Sequence, residues 1–181
     1  MGFKTARLSL SAAALVIAAA HVSAQSTQAL RVVPVVRGDY LVVNIDLRDG
    51  LTPEVLAAID SGLKTTFTYT VDLKVEATLF RDRTVMSAIV ANSVEFDNLQ
   101  RKYTLERSVD GREVGKPEVT DSPAKVREWL TRLQDLQLFR TRQLVRNREY
   151  YVRVSASARP SYGSIWPFGS GTSAQTKFIF R

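Results

Sequence analysis

Histidine and cysteine are all but missing from this chain, which has one histidine and no cysteine in 181 residues. The one histidine, His21, lies in an N-terminal stretch that reads as a cleaved signal, so the working protein is expected to carry neither residue. Their absence removes serine–histidine–aspartate and cysteine–histidine catalysis, and zinc sites of the usual composition. It also removes disulfides, so packing alone must hold the fold, which a chain of this length can manage. Long apolar runs are scarce as well. Leu8 to Ala20 is an apolar stretch of 13 residues, where a membrane-spanning helix needs about 20.

What that stretch does have is the make-up of an export signal. Lys4 and Arg7 precede it, and "HVSAQ" follows, with Val22 and Ala24 at the positions a signal peptidase reads. The expectation is a signal peptide over 1–24 and a single exported domain over 25–181, periplasmic or secreted, with no transmembrane segment in the mature chain. No cysteine follows the apolar stretch, which excludes a lipoprotein anchor of the bacterial type. Loss of Lys4 and Arg7 takes the formal charge from +7 to +5, still basic. For an exported protein, nucleic acid is not an expected partner. An anionic lipid surface or another envelope protein is, against the alternative of a merely solvated basic face.

The hydrophobic pattern is mostly that of strands. Leu30 to Val36 is β-branched but contains Pro34, which suits a sheet edge. Arg37-Gly38-Asp39 reads as a turn, and Leu41, Val43, Ile45 and Leu47 alternate in a second strand. Thr52 then caps a short helix with Pro53 at its first position, Val55, Leu56 and Ile59 on its buried face, and Gly62 at its end. Phe67, Tyr69, Val71, Leu73 and Val75 alternate strictly with polar residues. After a turn at Arg81 to Arg83, Met86, Ala88, Val90, Val94 and Phe96 do the same, giving a long hairpin that must twist.

Tyr103, Leu105 and Val109 lead to Asp110-Gly111, a strong hairpin signal. Ser122 and Pro123 start a second helix whose stripe is Val126, Trp129, Leu130, Leu133 and Leu136. "RNRE" at 146–149 reads as a turn before a strand with Tyr150, Val152, Val154 and Ala156. A Gly/Ser/Pro-rich loop over 159–175 carries Trp166 and Phe168, and Lys177 to Phe180 forms a short last strand. The fold class is α+β: a mainly antiparallel, strongly twisted sheet, able to double into a sandwich, with two packed helices.

Candidate chemistry is thin. The 18 acidic residues are spread singly, and no segment spells a calcium loop. Ser122 and Lys125 match a serine–x–x–lysine spacing, but "SDN" and "KTG" are absent, so a helix cap and a solvated lysine are expected. Gly169 to Ser173 lacks the lysine of a phosphate-cradling loop. Neither catalytic residues, nor a metal site, nor a cofactor is expected. The residues that stand out are Arg140, Arg142, Arg146 and Arg148, whose planar forks suit anions, and the loop aromatics Trp166 and Phe168. If the last long strand runs back towards the second helix, the two groups would form one aromatic–cationic patch.

The strings "LTPEVLAAIDSGLKTTFTYTVDL", "DRTV", "SPAKVREWLTRLQDL" and "REYYVRVSASARP" resemble a bacterial exported family, domain of unknown function 4390, over roughly 30–160. The resemblance implies an envelope location and no established activity, so no site residues carry over. The segment from Ser161 to Arg181 has no counterpart in the family pattern. The expected function is a non-catalytic cell-envelope protein binding another protein or the envelope itself. The alternative is a carrier of an apolar or lipid ligand held between curved sheet and helices.

Overall fold

The computed structural model describes residues 29–76, 82–160 and 171–181. Ten strands and two helices follow in the order β1 (Leu30–Arg37), β2 (Tyr40–Leu47), α1 (Pro53–Asp60), β3 (Thr65–Val75), β4 (Arg83–Asp97) and β5 (Lys102–Val109). Then come β6 (Arg112–Glu113), β7 (Glu118–Thr120), α2 (Pro123–Thr131), β8 (Arg132–Arg140), a single 3-10 turn (Thr141–Gln143), β9 (Arg148–Pro160) and β10 (Thr172–Phe180). Every strand pairing among the described residues is antiparallel. The strands form two sheets: β1-β2-β8, and β10-β9-β3-β4-β5 with β6 and β7 both on β5. Pro34 sits on edge strand β1, where its missing N–H breaks no ladder.

The inner faces meet in one core. Phe67, Tyr69, Val71, Leu73 and Val75 are all buried, as are Leu41, Val43, Ile45 and Leu47 from the smaller sheet. At one side the sheets are joined where β1 lies beside β10, and Thr176 Oγ1 donates to the Val32 carbonyl at 2.7 Å. α2 packs against strands of both sheets, β8 and β2 of the smaller and β3, β4 and β5 of the larger. α1 lies across β3 and β4, starting on its Thr52 cap. Gly62, at φ 85°, turns the chain out of it.

Three sequence expectations are corrected here. Leu133 and Leu136 belong to β8 rather than to α2, which ends at Thr131. Leu56 is partly exposed, and Ala58 takes its place beside Val55 and Ile59. The last strand is longer than Lys177 to Phe180, beginning at Thr172. At two expected turns the strand starts early, β4 at Arg83 and β9 at Arg148.

Candidate functional site

Arg140, Arg142, Arg146 and Arg148 come together at one end of the sandwich, because β8 delivers the chain there and β9 carries it away. The connecting segment is pinned through its backbone. Thr141 N donates to the Asp39 carbonyl at 2.8 Å and Asn147 N to the Phe180 carbonyl at 2.7 Å. Val145 N donates to the Tyr150 hydroxyl at 2.9 Å. Thr141 and Leu144 turn inward and are buried, which leaves Arg142, Val145 and Arg146 facing out. Arg37 arrives on the β1–β2 turn and Arg181 on the residue after β10. Exposed Val36, Val145 and Ile179 lie among them.

The charges at this end do not cancel. Glu76 and Glu149 both hold Lys177 Nζ, at 2.5 and 3.1 Å. Together they raise its pKa, the hydrogen bond to Glu76 first. Asp135 holds Arg37 at 2.5 Å, and Asp82 accepts from the Tyr151 hydroxyl. Burial first, then Asp82, pushes the Tyr151 phenol up to about 12. Among the described residues, none of Arg140, Arg142, Arg146 and Arg148 forms an ion pair. Arg140 stacks its guanidinium over the Tyr40 ring at 4.9 Å, which fixes the side chain and leaves its charge free. An exposed cationic end with aliphatic side chains set into it is equipped to hold an anionic surface.

Trp166 and Phe168 lie outside the described residues. Their segment joins Pro160 to Gly171, at the opposite end of β9 from Arg148. Thirteen residues of strand separate those ends by about 40 Å.

A second constellation is internal. Asn92 is fully buried, its Nδ2 donating to the Trp129 carbonyl at 2.6 Å and its Oδ1 accepting from Arg107 Nε at 2.8 Å. The Tyr69 hydroxyl donates to the Leu130 carbonyl at 2.6 Å. These are final-turn carbonyls of α2, which have no partner within the helix, so β3 and β4 cap α2 from the side. The Arg107 guanidinium sits 4.4 Å over the Trp129 ring. Burial lowers its pKa, opposed by Tyr69, and burial also drives the Tyr69 phenol upward, aided by Asp46. The signal available in the sequence is a polar residue at an inward position, Asn92 between Val90 and Val94.

The remaining motifs resolve simply. Ser122 Oγ accepts from Lys125 N at 3.4 Å as a helix cap, and the Lys125 ammonium pairs with Glu118. Arg37-Gly38-Asp39 forms the β1–β2 turn, with Gly38 at φ 55°. Among the described residues no group of three or more acidic side chains is placed to hold a metal ion, and no helix is long and apolar enough to cross a membrane.

No curated protein and no solved structure matches the chain. One family does, described as Domain of unknown function (DUF4390), over residues 24–161. The match covers most of the chain, from the approach to β1 to the end of β9, and the chain belongs to that family.

Proposed function

We propose that this is a non-catalytic cell-envelope protein, exported by its N-terminal signal, that docks by its arginine end onto an anionic membrane surface. The observation that carries the reading is the set Arg140, Arg142, Arg146 and Arg148, without an ion pair among the described residues and exposed around Val145. Arginines near an anionic leaflet contribute about 1 kcal/mol each, and the contribution fades within a Debye length. Aliphatic side chains among them add contact with the acyl boundary.

Sedimentation with phosphatidylcholine vesicles, with and without phosphatidylglycerol, tests it. Binding to the anionic vesicles alone, weakened by salt and abolished by Arg142→Glu with Arg146→Glu, is the expected result. Equal binding to neutral and anionic vesicles, or none to either, overturns it. If neither vesicle binds but the same arginines are needed to retain an envelope protein, the occupant is a protein.

A further inference from the structure

At the end of the sandwich opposite the arginines, two neighbouring strands shrink their core-facing side chains in step. Along β9 the inner row runs Tyr150, Val152, Val154, Ala156, Ala158. Along its partner β10 it runs Phe180, Phe178, Thr176, Ala174, Thr172, with Phe178 opposite Tyr150 and Thr172 opposite Ala156. Aromatic side chains fill one end of the core and alanine and threonine line the other. The space this leaves is a cleft of about 330 Å³ floored by Leu47, Val55, Phe67 and Ala156. Those four are buried, Phe67 at 1 % exposure.

Protein interiors pack to crystal density, and a taper repeated on two strands opens room, among the described residues, at the alanine end. The rim is polar. Arg48, Asp49, Thr52 and Ser157 line it, and among the described residues Arg48 forms no ion pair. We infer that this cleft binds an amphiphile with one aliphatic chain and an anion-bearing head. The chain lies along Ala156, Ala158 and Thr172, and the head stands at Arg48. The volume is at the low end for small-molecule sites, which admits one chain and not the two of a phospholipid. A fatty acid and a lysophospholipid share this chemistry. They differ in the ammonium of a zwitterionic head, which Asp49 would face.

Calorimetry on the full mature chain, titrated with decanoate, decylphosphocholine and butyrate, tests the assignment. At least one ten-carbon probe should bind ~tenfold or more tightly than butyrate. Arg48→Ala should weaken it, and Asp49→Asn should weaken decylphosphocholine only. Ala158→Phe, which fills the cleft beside Phe67, should abolish binding, with Ala158→Leu as the milder filler should the larger one fail to fold. Three results overturn the inference: no preference for the longer chain, unchanged binding in a folded Ala158 variant, or binding only after residues 161–170 are replaced by a short turn. The last would mean that the chain itself fills the space.

Discussion

Asn92 Nδ2 on β4 donates to the carbonyl oxygen of Trp129 at 2.6 Å, and this bond decides where α2 stops. Beside it the Tyr69 hydroxyl takes the Leu130 carbonyl. With both carbonyls occupied from outside the helix, the chain can leave at Thr131 and extend along β2. Removing the Asn92 side chain takes a partner from the half-buried Trp129 carbonyl and the half-buried Arg107 Nε, and leaves a gap where a fully buried residue stood. Asn92→Ala should therefore cost about 3 kcal/mol. Tyr69→Phe, which loses one hydrogen bond of a fully buried residue, should cost about 1.5 kcal/mol. Urea titrations of the singles and the double should show coupling between them, since they hold one helix end. Additive losses would mean that the two bonds act separately.

Gly62 offers a backbone test. Its φ of 85° is unfavourable for any residue with a Cβ, and a Cβ there would meet Asn98 Nδ2 at 2.9 Å and the Phe96 carbonyl oxygen at 3.3 Å. Gly62→Val should cost more than strain alone, about 2 kcal/mol. Wild-type stability of that variant in denaturant would show that the turn after α1 has another solution.

How far these features are legible in the sequence differs by element. The strict alternation from Phe67 to Val75 places every inward residue correctly, because a strand buried on one face has a period of two and no competing pattern. Thr52-Pro53 and Asp110-Gly111 are equally local: a cap, and a turn whose φ values of 50° and 76° suit that pair. The end of α2 is not local. Leu130, Leu133 and Leu136 fit a helical stripe, and the groups that end the helix, Asn92 and Tyr69, lie 37 and 61 positions from their acceptors. Likewise the partner of β2 is β8, Val43 pairing with Leu136 about half the chain away, and this pairing doubles the expected sheet into two. The arginines are legible by their density.

Tyrosine ionisation gives a pH prediction. Tyr151 titrates at about 12 in the folded protein against an ordinary 10, and Tyr69 is raised further by burial. Raised phenol pKa values mean that the folded state holds protons which the unfolded state releases. Stability from these groups is complete below about pH 10 and falls as pH rises towards 12. Absorbance titration should show Tyr69 and Tyr151 ionising late. Tyr151→Phe should remove one late step and flatten the fall in stability between pH 10 and 12. An unchanged pH profile would show that Tyr151 carries no such linkage.

The two ends of the sandwich should also respond differently to a membrane. A surface held by Arg142 and Arg146 brings Val145 to the lipid boundary, where interfacial side chains reach about 5–10 Å into the headgroup region. The anchors of the Trp166 segment, Pro160 and Gly171, stand at the other end of β9, about 40 Å away by strand length, beyond a Debye length of about 10 Å. Two single-tryptophan proteins separate the ends. One carries Val145→Trp with Trp129 and Trp166 replaced by Phe, and the other keeps only Trp166. With phosphatidylglycerol vesicles, emission of the first should move to the blue and that of the second should stay fixed, and added salt should reverse the first shift. A blue shift at Trp166 with none at position 145 would place the contact at the cleft end, and the arginine end would then lose its assigned role.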